Sequence, residues 1–92
     1  MNIWKYELDI ANEATLDMPE GAKVLTVQTQ EGVCCIWAQV DASKPKVKRH
    51  FSVYGTGQPL PQNPGIYLGT FQLHGGQLVF HVFERIENVV SR

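Results

Sequence analysis

The chain carries two cysteines and three histidines, the residue types from which a metal site or a thiol nucleophile is assembled. The cysteines are the neighbours Cys34 and Cys35, and the histidines are His50, His74 and His81. No pair has ligand spacing such as C-x-x-C or H-x-x-x-H, by which metal sites announce themselves. Adjacent cysteines in a strand point to opposite faces and bridge only by distorting the backbone, so two free thiols of a reducing compartment are expected. A Cys–His nucleophile pair can be drawn from the same residues. It has no local signature, and a small β domain seldom supplies the recess it needs. His74 falls at a turn and His81 in an apolar strand, where hydrogen-bonded structural histidines are expected. The carboxylates Glu7, Asp9, Glu13, Asp17, Glu20, Glu31, Asp41, Glu84 and Glu87 are scattered, with no pair placed for acid–base work. The expectation is therefore no catalytic residue, no metal and no cofactor; the protein is not read as an enzyme.

Two stretches remain that could bind. The basic run Lys44, Lys46, Lys48, Arg49, His50 leads to Tyr54, and strand alternation places Lys46, Lys48 and His50 on one face, where they could follow phosphates. The competing reading is a strand whose lysines protect it from edge-to-edge pairing. The net charge of −1 supplies no overall field for nucleic acid and favours the second reading. The loop Gly55 to Gly65 looks faintly like a phosphate cradle, but no G-K-[ST] follows and no helix opens after it. What it offers is stiffness: Pro59, Pro61 and Pro64 fix φ, so little entropy is lost if the loop becomes a contact surface. A structural crossover between sheets is the plainer use of the same loop. Where it meets the basic strand, Lys48, His50, Tyr54, Thr56, Gln58 and Pro59 are the candidate ligand- or partner-binding residues.

The elements that must position these residues show a period of two. Trp4, Tyr6, Leu8 and Ile10 alternate with Lys5, Glu7 and Asp9, as in a half-buried strand. Ala11 to Ala14 could form one helical turn, and Thr15 to Met18 reads as a short extended piece ended by Pro19-Glu20-Gly21. Ala22–Gln30 and Val33–Val40 form a hairpin around Glu31-Gly32. A two-residue primed turn would put Glu31 at positive φ, whereas a three-residue loop Gln30-Glu31-Gly32 needs positive φ only at Gly32. The second choice sets Leu25 opposite Trp37 and Val27 opposite Cys35, with Trp37 buried. The first would place Trp37 beside Thr26 on the more polar face.

Lys46 to Tyr54 alternates again, with Arg49 and Tyr54 breaking the pattern on opposite faces. The last hairpin joins Ile66–Leu73 to Leu78–Phe83, with Gly75-Gly76 in a primed turn. That register pairs Leu73 with Leu78, Phe71 with Phe80 and Thr70 with His81. Leu68, Val79 and Phe83 supply a second apolar face, as in a strand covered on both sides. The tail from Arg85 to Arg92 reads as a last short strand or a frayed end.

Six to seven mainly antiparallel strands with close turn signals make an all-β fold, a compact barrel or sandwich, and 92 residues make one domain, 1–92. A hydrophobic fraction of 43% with 18% charged residues is that of an ordinary globular chain. No apolar run approaches the ~18 residues of a membrane helix, and Met1 to Glu7 lacks an apolar signal core, so a cytoplasmic protein without membrane contact is expected. Strands apolar on both faces could complete their core in a symmetric dimer, so a homo-oligomer is expected.

The segments Met18-Pro19-Glu20-Gly21-Ala22, Leu25-Thr26-Val27-Gln28, Ile36-Trp37-Ala38 and Val40-Asp41 carry a resemblance. So do Tyr54-Gly55-Thr56-Gly57, Pro64-Gly65, Gly69-Thr70-Phe71-Gln72-Leu73, Gly75-Gly76 and Val79-Phe80-His81-Val82-Phe83-Glu84. Over nearly the whole chain this pattern resembles a family of small proteins encoded by tailed bacteriophages and prophages. The resemblance implies a virus-derived protein in the cytoplasm of a bacterial host, and it brings no catalytic or binding residues with it. Together these readings point to a non-catalytic phage or prophage accessory protein that binds a host or viral macromolecule, a host or phage protein rather than nucleic acid. A nucleotide-like small-ligand binder, using the Gly55–Gly65 loop with His50 and Tyr54, and a virion or assembly component are the alternatives.

Overall fold

The computed structural model describes residues 1–86. Its strands are β1 (Asn2–Glu7), β2 (Ala14–Pro19), β3 (Lys23–Gln30), β4 (Val33–Val40), β5 (Lys46–Gly55), β6 (Ile66–Leu73) and β7 (Leu78–Arg85). They form two antiparallel sheets, one ordered β1-β4-β3 and the other β2-β5-β7-β6. Neither sheet closes on itself, so the all-β fold is a sandwich and not a barrel. Arg85 ends β7, and the rest of the expected tail, 87–92, lies outside the described residues. Among the described residues no helix is long and apolar enough to cross a membrane.

Alternation fills the space between the sheets. Cys34, Ile36, Ala38 and Val40 face inward from the central strand β4 and are at most 1% exposed. Met18, Phe51, Val53, Phe71 and Val82 meet them from the other sheet. At one edge of the sandwich β3 lies against β6. There Gly69 admits Val27, whose Cβ would stand 3.2 Å from any Cβ added to the glycine. The Thr29 hydroxyl donates to the Gln72 carbonyl across the same seam, at 2.9 Å.

The first strand is shorter than its alternation suggests. Leu8 still donates its N–H to the Cys34 carbonyl, but the chain then leaves for the other sheet, where the Ala11 carbonyl accepts from Val53. Ile10 lies on this crossing and is 46% exposed, and the helical turn expected at Ala11 to Ala14 is replaced by bends leading into β2.

The β3–β4 hairpin corrects the expected register. Gln30 pairs with Val33, so the turn is the two-residue Glu31-Gly32 with φ of 51° and 79°. Val27 then faces Ile36, Gln28 faces Cys35 and Thr26 faces Trp37, while a bulge pushes Leu25 out of the ladder to 44% exposure. The physical reason is a comparison of magnitudes. A left-handed Glu31 costs about 1–2 kcal/mol. Fully burying Ile36, with the three other inward residues of β4, contributes about 1.5–3 kcal/mol for that side chain alone. Trp37 consequently stands half-buried on the outer face between Lys5 and Thr26, not in the core.

In the last hairpin the register is as expected, Leu73 on Leu78, Phe71 on Phe80 and Thr70 on His81. The primed turn is also as expected: Gly75 and Gly76 are its two central residues, with φ of 65° and 94°, and Gln77 N–H donates to the His74 carbonyl at 3.2 Å, while the positive φ of His74, 53°, is the one departure. The Phe71 and Phe80 rings stack with centroids 5.3 Å apart. Leu68 does not join Val79 and Phe83 on the outer face. It occupies a bulge between Tyr67 and Gly69 and packs against the core.

Candidate functional site

β7 lies between β5 and β6, and this order creates the site. On its outward face His81 pairs in register with Tyr54 of β5 and Thr70 of β6, while Phe83 pairs with Ser52 and Tyr67. Phe83 therefore stands between two tyrosines, 6.0 Å from the Tyr54 ring at 68° and 5.6 Å from the Tyr67 ring at 64°. Such edge-on pairs contribute about 0.5–1.5 kcal/mol each beyond their buried area. The Gly55–Gly65 loop closes one side, bringing Thr56, Gln58 and Leu60 to the rim of an open recess of about 240 Å³. Tyr67 is 55% exposed and Leu60 51%.

A chain of hydrogen bonds runs along the floor. Tyr67 Oη meets Thr70 Oγ1, Thr70 Oγ1 lies 2.9 Å from His81 Nδ1, and His81 Nε2 lies 2.7 Å from Thr56 Oγ1. Thr56 in turn donates its hydroxyl (3.3 Å) and its N–H (3.0 Å) to the Val79 carbonyl. His81 is thus held at both ring nitrogens. The loop is set by Gln58: its side-chain oxygen accepts Gly55 N–H at 3.0 Å, its own N–H donates to the Gly55 carbonyl, and its amide donates to Asn12 Oδ1 at 2.9 Å.

Of the residues singled out in the sequence, Tyr54, Thr56 and Gln58 meet at this recess, although Gln58 uses both ends of its amide to shape the loop. Pro59 follows Gln58 in the loop and does not line the recess. Lys48 and His50 lie further along β5, on its outward face beside β2. Lys48 pairs with Asp17 at 3.5 Å, and His50 Nδ1 lies 3.3 Å from Thr15 Oγ1. The Lys48–Asp17 pair is 72% and 61% exposed and contributes at most about 1 kcal/mol. Tyr67, His81 and Phe83 are the site residues that sequence reasoning missed. The signal for two of them was present, since Leu78–Phe83 is apolar on both faces and one face had to be covered by something. A second recess of about 260 Å³ lies on the other side of Tyr54 and is polar, lined by Asn12, Asn63 and Arg85 among others. There Arg85 pairs with Glu13 at 3.5 Å.

The thiols lie elsewhere. Cys34 faces the core and Cys35 the opposite side of β4, both free and each 1% exposed. Among the described residues no group of three or more His, Cys, Asp or Glu side chains could hold a metal ion. Burial, aided by the neighbouring Cys35, pushes the Cys34 thiol from 9.0 up to about 12, and burial also raises the Tyr6 phenol above its usual 10.0 against the pull of Arg49. Both groups bind protons more tightly folded than unfolded, so the stability they contribute is complete below their unfolded values and lost as pH rises. Denaturant midpoints should therefore fall as pH is raised from about 9 toward 12, with a flatter profile in Cys34→Ala combined with Tyr6→Phe. In the native protein neither thiol should react with Ellman's reagent at pH 8, and both should react in denaturant. Rapid native reaction would show that β4 opens.

Residues 1–92 match the family described as "Domain of unknown function (DUF7352)". No curated protein and no solved structure matches the chain.

Proposed function

We propose that this chain, which belongs to the DUF7352 family, is a non-catalytic docking protein that binds a partner protein by seating one of its side chains in the Tyr54–Phe83–Tyr67 recess. The observation that carries the reading is the recess itself: three aromatic rings beside a loop with three prolines, Tyr67 and Leu60 being about half exposed. Its volume of about 240 Å³ falls below the roughly 300–1,000 Å³ of sites that enclose a small molecule, and it suits a single side chain. Engagement of both His81 nitrogens by threonine hydroxyls supports a positioning role for that ring over a general base. The resemblance to phage and prophage proteins supports a partner in a bacterial host or its virus.

Affinity capture from bacterial host lysate with the wild type and with Tyr67→Ser tests this. A protein retained by the wild type should bind the variant roughly 30-fold more weakly, the effect of losing a tyrosine anchor worth about 2 kcal/mol. No retained protein, or equal retention by both forms, overturns the proposal. The polar recess beside Tyr54, at about 260 Å³ likewise too small to enclose a whole ligand, favours a second reading, a nucleotide that seats only its phosphate there beside Arg85 and otherwise stays open to solvent. A ligand at a hundred times its Kd adds about 2.7 kcal/mol of stability, so thermal shifts across a nucleotide panel decide that reading.

A further inference from the structure

We infer that the aromatic recess seats the guanidinium of an arginine side chain presented by the partner protein. This rests on the docking reading above and names the occupant. Three rings, Tyr54, Phe83 and Tyr67, border one small recess, with Phe83 inclined at 68° and 64° to the two tyrosines, and aromatic π systems attract cations. No lysine or arginine lines it, so nothing there repels a positive charge.

The hydrogen bonds add a direction. With a neutral His81, one arrangement of protons satisfies all four contacts of the floor. Tyr67 donates to Thr70, Thr70 to His81 Nδ1, His81 Nε2–H to Thr56 and Thr56 to the Val79 carbonyl. Every proton of the chain is then committed within the protein, and Tyr67 Oη and Thr56 Oγ1 offer lone pairs. Arginine answers both features, since its planar, weakly hydrated cation stacks on rings and carries five donors. A lysine ammonium would give up a stronger hydration shell. An apolar side chain would fill the space and leave the lone pairs unmet.

The test titrates the full-length, ¹⁵N-labelled protein with acetyl-Gly-Gly-X-Gly-Gly-amide peptides into the millimolar range, with X as arginine, its uncharged isostere citrulline, or norleucine. The arginine peptide should shift the Thr56, Gly57 and His81 amides, and the citrulline peptide should bind at least tenfold more weakly. Tyr67→Leu should weaken the arginine peptide at least threefold while remaining folded, with the amide spectrum away from the recess unchanged, because Tyr67 is 55% exposed. Equal binding of arginine and citrulline, or an unaffected Tyr67→Leu, overturns the assignment. Tighter binding of norleucine than arginine overturns it and leaves the docking reading standing. No perturbation by any peptide overturns both.

Discussion

Gly65→Ala should lower the unfolding free energy by roughly 4 kcal/mol, about 1–3 from a strained φ and a similar amount from forced backbone movement. Gly65 joins the Gly55–Gly65 loop to β6 with φ of 107°. A Cβ there would lie 2.2 Å from the Glu84 carbonyl oxygen, 2.9 Å from its carbon and 3.1 Å from Arg85 Cα. All three atoms belong to the backbone of β7, where the adjacent Ile66 pairs with Glu84, so no side chain can swing aside. Gly57→Ala is the control. Its φ of 91° is equally unsuited to alanine, but nothing lies within 4 Å, so only the loss of about 1–3 kcal/mol from φ is expected. Urea unfolding of the two variants separates close approach from backbone strain, and equal losses would remove the role given to Glu84. Because Gly65 anchors the loop that carries Leu60 and Thr56, the alanine variant should also lose the recess.

The ion pair between Arg49 and Glu84 carries the second large effect. Arg49 is the charged residue on the inward face of β5, with its side chain 21% exposed against 15% for Glu84. Its Nε and Nη2 bond the two carboxylate oxygens, the latter at 2.9 Å, and Nη1 donates to the Ala22 carbonyl at 2.9 Å. The carboxylate is the main reason the guanidinium holds its proton more tightly than usual. Arg49→Met or Glu84→Leu alone leaves one charge without its partner and should cost about 3 kcal/mol, at the lower end of the range for buried pairs because both groups keep some exposure. The double variant should recover most of that loss, since an apolar pair removes both desolvation penalties. A double-mutant cycle reads the coupling directly. Single losses that simply add would mean that the pair is not coupled. Against a stability of about 5–15 kcal/mol for a domain of this kind, either single change is severe.

The fold was largely legible because a pleated strand writes its environment into every second residue. β5 and the β6–β7 hairpin follow directly from alternation, β2 enlarges the short extended piece read at Thr15 to Met18, and Phe71 faces Phe80 as the spacing about Gly75-Gly76 requires. The β3–β4 register was misread because a local turn preference was weighed above burial. The left-handed Glu31 is tolerated for the sake of Ile36, and Trp37 moves to the outer face as a result. Arg49 was visible as a break in the inward pattern, yet its partner lies 35 positions along the chain and nothing near it in the sequence points there.

The site divides along the same line. Tyr54, Thr56 and Gln58 could be chosen because they sit in and beside a loop whose glycines and prolines mark it. Tyr67 and Phe83 could not be joined to them, since that requires β7 to lie between β5 and β6, which are successive in the chain. By itself the sequence determined the all-β class, the face each residue takes along most strands and the loop that glycines and prolines mark at 55–65, all properties of short stretches of backbone and side chain. Tertiary structure alone decided strand order, the outer placement of Trp37, the Arg49–Glu84 pair and the aromatic recess. These depend on which faces find cover and which loops close, and that balance is struck across the whole sandwich.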